Sequence, residues 1–87
     1  MPTYITLIEY TKEGAQNMED SPKRLDMAKE IVKSMGGEIK EFYLTFGEYD
    51  GVVVFEAPDD ESAAKALLTV GGQGAVSTQT LKGFPED

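Results

Sequence analysis

The chain predicts an α+β sandwich in which four antiparallel strands carry two helices on one side. Three observations lead there. A run of period two opens the chain at Thr3 to Tyr10. Two runs with helical spacing each stop at a Gly-Gly pair. Between them, two apolar runs of strand length flank Gly47-Glu48-Tyr49-Asp50-Gly51, the pattern of an antiparallel hairpin. The order is strand, helix, strand, strand, helix, strand, which is the split βαβ, ferredoxin-like arrangement.

Each element has a local reason. In Thr3 to Tyr10 one face carries Ile5 and Leu7, and the other Tyr4, Ile8 and Tyr10. Both faces are apolar, so helices are expected over one and a second layer over the other. Thr11 caps a short helical turn from Lys12 to about Met18, weakened by Gly14. Ser21-Pro22 reads as an N-cap followed by Pro at the first helical position. Leu25, Ala28, Ile31, Val32 and Met35 then form an inward stripe, with Lys23, Arg24, Lys29, Glu30 and Lys33 on the wet side. Gly36-Gly37 ends this helix. The first hairpin arm alternates Phe42, Leu44 and Phe46 against Ile39, Glu41, Tyr43 and Thr45. The second, Val52 to Phe55, is nearly continuous β-branched residue, as in a central strand. Pro58-Asp59-Asp60-Glu61 opens a second helix by capping it, and Gly71-Gly72 is its expected stop. Ala75 to Leu81 is a last strand, and Phe84 is expected to dock the tail.

Length and charge narrow the function. Residues 1–87 are read as one domain. So short a chain buries a limited share of its surface, which makes oligomerisation a second source of stability. With 8 basic and 16 acidic side chains the formal charge is −8, which disfavours nucleic acid and anionic lipid as partners. Cys and His are absent, which removes thiolate nucleophiles, imidazole bases and the ordinary zinc sites; no metal or other cofactor is expected. The start of the chain has neither a basic n-region nor an apolar h-region, so cytoplasmic residence is the expectation.

Several short motifs agree in order and spacing with one family. Pro2-Thr3-Tyr4, Ser21-Pro22-Lys23-Arg24, Lys40-Glu41-Phe42-Tyr43, Gly47-Glu48-Tyr49-Asp50 and Glu56-Ala57-Pro58-Asp59-Asp60 resemble the GYD-domain proteins. The resemblance spans nearly the whole chain. It implies the dimeric α/β-barrel fold, in which two copies face each other sheet to sheet. A homodimer of that kind would supply the second layer over the first strand. The resemblance carries fold and pairing rather than an activity. Superfamily members include monooxygenases, isomerases and haem proteins, but those built on His have no counterpart in this chain.

The sharpest candidate site is Gly47-Glu48-Tyr49-Asp50. Read catalytically, Tyr49 donates a proton or hydrogen bond and Asp50, or Glu48, acts as base or orienter. Read structurally, the same residues make a turn, and turn chemistry accounts for all of them without a substrate. The aromatics Tyr4, Tyr10, Tyr43, Phe46 and Tyr49 are the candidate ligand-binding set; their competing use, together with Phe42 and Phe55, is core and subunit interface. Gly71-Gly72-Gln73-Gly74 follows a helix instead of preceding one, so it is a helix stop and not a phosphate loop. Two functions fit. One is a homo-oligomeric assembly or binding module that holds a small, partly aromatic molecule or another copy of itself. The alternative is a cofactor-free enzyme, monooxygenase- or isomerase-like, with Tyr49 and Asp50 as its polar pair. The absence of His and Cys favours the first.

Overall fold

The computed structural model describes residues 1–72 and 74–86. Strand β1, Thr3–Tyr10, lies inside a four-stranded antiparallel sheet. It is followed by α1, Lys12–Gln16, whose N-cap Thr11 accepts the Gly14 amide at 3.1 Å. A 3-10 turn at Met18–Asp20 then runs directly into α2, Ser21–Ser34. The hairpin is β2, Glu38–Leu44, and β3, Gly51–Glu56. Helix α3 spans Asp60–Gly71 and β4 spans Val76–Gly83. The strand order is β2-β3-β1-β4, with the β-branched β3 in the interior of the sheet as its composition requires. Among the described residues no helix is long and apolar enough to cross a membrane.

The alternation of β1 sends Tyr4, Thr6, Ile8 and Tyr10 to the helices. Phe55 and Val53 come from β3 to the same side. The Tyr4 and Phe55 rings stack at 5.2 Å and pack with Val32, Ala63 and Ala66. The buried Thr6 hydroxyl pairs with that of Thr80 at 2.9 Å, so its burial leaves no polar group unmatched. Small side chains at Ala28 and Ala66 leave a cavity of about 90 Å³ between α2, α3 and the sheet.

Four expectations change in the structure. Ser21 is the first helical residue and not the cap: the preceding 3-10 turn delivers Asp20 to the N-cap position, where its side chain makes no capping bond. Arg24 is half-buried where a wet helix face was expected, because its guanidinium folds back onto the carbonyls of Asn17 and Gly14. Ile39 shares the helix side with Phe42, because the β2–β3 register shifts between Ile39 and Glu41. The extra residue, Lys40, is a bulge that inverts the alternation beyond it. The Gly71-Gly72 stop holds: α3 ends at Gly71 with Gly72 as its C-cap at φ −65°, and the left-handed residue follows at Gly74, φ 82°. Gln73 lies outside the described residues. Finally, Phe84 does not dock: its ring is 79 % exposed, with the Lys82 ammonium 5.8 Å from its centroid. At the first helix stop the expectation holds in detail. Gly36, φ 85°, donates to the Lys33 carbonyl, and Gly37 to that of Val32, each at 3.0 Å. These are the paired bonds of a Schellman turn.

Candidate functional site: the uncovered face of the sheet

Helices α2 and α3 pack on one side, so the other side of the sheet is built of strand side chains. The registers align them in rows. Glu41, Val54, Ile5 and Leu81 are successive cross-strand partners. Tyr43, Val52, Leu7 and Gln79 form the next row. The centre of this face is therefore Ile5, Leu7, Val52 and Val54, continuous with Leu81 and Tyr43, which are about half exposed. An apolar surface of this continuity, rimmed by polar groups, is the mark of an interaction site.

The rim is polar at both ends. At one end Glu38, Glu56 and Thr3 lie in one row, and the Lys40 ammonium reaches Glu38 at 3.2 Å and Glu56 at 3.7 Å. Those carboxylates raise the Lys40 pKa, chiefly through the Glu38 hydrogen bond. At the other end Tyr49, from the β2–β3 loop, extends over the sheet and donates to Gln79 Oε1 at 2.8 Å. The loop itself is held by its own backbone and side chains. Thr45 donates its amide to the Asp50 carbonyl and its hydroxyl to the Tyr49 carbonyl. Asp50 donates its amide to the Ile8 carbonyl at 2.7 Å and accepts the Tyr10 amide on Oδ2 at 2.8 Å.

The residues singled out from the sequence fall in five places. Tyr43 and Tyr49 border the uncovered face. Asp50 is turned to the β1 backbone, so the Tyr49 hydroxyl and the Asp50 carboxylate have separate partners. Tyr10 is on the helix side, where its hydroxyl lies 3.2 Å from that of Ser21. Tyr4 is buried at the opposite end of the core; its hydroxyl donates to Asp60, which also pairs with Lys82 at 2.9 Å. That bond, reinforced by burial, pushes the Tyr4 pKa up to about 12; on the other side the same bond, with that of Lys82, holds the Asp60 carboxyl below the usual range. Phe46 is fully exposed on the hairpin loop. Glu48 is exposed on the same loop. The aliphatic centre Ile5, Leu7, Val52, Val54 was visible in the sequence as apolar alternation on both faces of β1. The candidate set nevertheless held aromatics alone.

The architecture is that of the ferredoxin-like α+β domains. A feast or famine regulatory protein from M. tuberculosis, solved in complex with L-methionine, superposes with a TM-score of 0.74 at 15% identity. The match covers 98% of this chain and 51% of that one, so the chain spans about half its length. The 5-chloro-2-hydroxyhydroquinone dehydrochlorinase of Burkholderia phenoliruptrix superposes with a TM-score of 0.63 at 12% identity, covering 97% and 94% of the two chains. At such identities the likeness is one of fold alone. Within that class the chain belongs to the GYD domain family, whose model matches residues 4–87. A curated relative from Thermus thermophilus is 35% identical over 86 residues, 98% of this chain and 90% of its own. That relative is named a glutamine synthetase and cystathionine beta-lyase binding protein.

Proposed function

We propose that this chain is a cytoplasmic assembly module that pairs with a second copy through the uncovered sheet face and, as a pair, docks on an enzyme of amino-acid metabolism. The apolar rows Val54–Ile5–Leu81 and Val52–Leu7 carry this reading. A face of that composition is stabilised by a second apolar surface and not by water. The name of the Thermus thermophilus relative supports glutamine synthetase as the first enzyme to try. The full exposure of Phe46 on the hairpin loop supports it as the anchor of the enzyme contact. Binding is preferred to catalysis because the Tyr49 hydroxyl and the Asp50 carboxylate are each engaged within the chain itself.

The test is light scattering on a size-exclusion column, alone and with glutamine synthetase from the same host. A two-copy mass for the native chain and a one-copy mass for Val54→Lys, with unchanged far-UV dichroism, support pairing through this face. A dimer that survives Val54→Lys removes the face from the interface. Co-elution with the enzyme that is lost in Phe46→Ser supports the docking contact, and no co-elution of the native chain sets glutamine synthetase aside.

A further inference from the structure

The cavity on the helix side lies across the sheet from the uncovered face, and its lining has two parts. Most of it is apolar, from Ile8, Ala28, Val53, Ala66 and Val70 among others. One end is polar: the Tyr10 and Ser21 hydroxyls, 3.2 Å apart, and the Arg24 guanidinium. Arg24 is the sole charged side chain among the described lining residues. It also lines a shallow depression at the surface with Glu13, Asn17, Asp20, Lys23 and Met27, which places it at the mouth.

Among the described residues the Arg24 guanidinium makes no ion pair, as is also true of Lys12, Lys23, Lys29 and Lys33, and Glu13 and Asp20 share its depression. Its bonds go to the Asn17 carbonyl at 3.1 Å and, at the limit of bonding distance, to the Gly14 carbonyl at 3.5 Å. A guanidinium has five N–H donors in a planar fork, so donors remain for an acceptor at the mouth. Two bonds to carbonyl oxygens fix its plane without neutralising its charge.

We infer that this cavity is a ligand site for a small apolar monocarboxylate, its branched hydrocarbon body between the helices and the sheet and its carboxylate on Arg24, beside the Tyr10 and Ser21 hydroxyls. The volume sets the size. A cavity of about 150 Å³ holds benzene, so in proportion about 90 Å³ holds a body of roughly three or four carbons. The charge sets the head group: an arginine fork matches a carboxylate. The cavity lining offers no carboxylate to receive an ammonium, so a free amine is disfavoured inside it. The site does not depend on self-pairing, because it opens on the helix side.

The test uses the full chain and 3-methylbutanoate, followed by calorimetry and by amide chemical shifts. The expected result is saturable binding, with shifts concentrated at Ile8, Tyr10, Val70 and Thr78. Arg24→Gln should weaken it at least about tenfold, the loss of one charge-assisted pair. Ala28→Leu, which fills the cavity, should abolish it, and the Arg24 variant decides the matter if that protein fails to fold. 3-Methylbutan-1-amine should bind at least about tenfold more weakly. Absence of saturable binding, equal binding of the amine, equal affinity in Arg24→Gln, or shifts confined to Leu7 and Val54 on the other face would each overturn the assignment.

Discussion

The carboxylate of Asp50 stands in for a backbone carbonyl. It accepts the Tyr10 amide just beyond the last β1–β3 pair, Ile8 with Gly51, and so fastens the hairpin loop to the central strand. Asp50→Ala should therefore cost about 1–3 kcal/mol in urea unfolding, while Asp50→Asn, which keeps an acceptor, should cost less. Phe55, 2 % exposed and stacked on Tyr4, should cost about 3–5 kcal/mol as Phe55→Ala. Tyr4 gives stability a basic limit. Unfolded tyrosine loses its proton near pH 10, whereas in the folded chain the Asp60 bond delays this to about pH 12. The contribution is complete below about pH 10 and is lost as pH rises through about 12, and Tyr4→Phe should remove this part of the alkaline decline. The turn at 47–51 was legible in the sequence, since Gly and Asp at that spacing are turn formers. The partner of Asp50 was not, because no local spacing encodes a bond to a residue far upstream.

Among the elements, the helix ends behave most nearly as their sequences suggest. Asp59 accepts the Ser62 amide at 2.7 Å, which holds its carboxyl below the usual range, and Asp60 is held down by Tyr4 and then Lys82. Both groups favour the fold above the unfolded carboxylate pKa and stop doing so as pH falls through their lower folded values. The start of α3 should thus loosen on acidification below about pH 4, followed as amide exchange at Ser62 and Ala63. Gly37 is crowded: a Cβ there would sit 2.2 Å from the Glu56 carbonyl oxygen, whereas at Gly71 nothing lies within 4 Å. Gly37→Ala should lose about 1–3 kcal/mol or more, and Gly71→Ala should be neutral or gain up to about 1 kcal/mol, compared by thermal melting. Strand existence and order were readable because alternation and β-branching report burial directly. The bulge was not, because Lys40 is neither Gly nor Pro and nothing marks it. One unmarked residue sufficed to move Ile39 to the other side of the sheet. Arg24 escaped for a related reason: helical spacing assigns it to the solvent side, and only the chain's return through α1 brings carbonyls within its reach.

For the whole molecule, charge and grease pull in opposite directions. Pairing through the uncovered face joins two bodies that each carry −8, and Glu41, Glu38 and Glu56 lie near the seam. Self-association should therefore tighten as salt rises, since screening over about 10 Å at 0.1 M weakens the repulsion and leaves apolar burial intact. Sedimentation at low and high salt measures this, and the opposite trend would point to an interface held by ion pairs. Which side of the sheet the helices choose could not be read from β1, where both alternating sets are apolar. On the proposed pairing, that ambiguity is what a strand covered on both sides would show.

The outermost pairing of β1 with β4 sets Thr3 opposite Gly83. The polypeptide thus leaves the sheet beside the place where it entered. A short splice between these neighbours, with a new opening in the loop of residues 45–49, would yield a circular permutant with every strand neighbour retained. Such a rewired chain would show whether the connection between β2 and β3 is needed to bring those strands together, or only to hold Tyr49 and Asp50 in place.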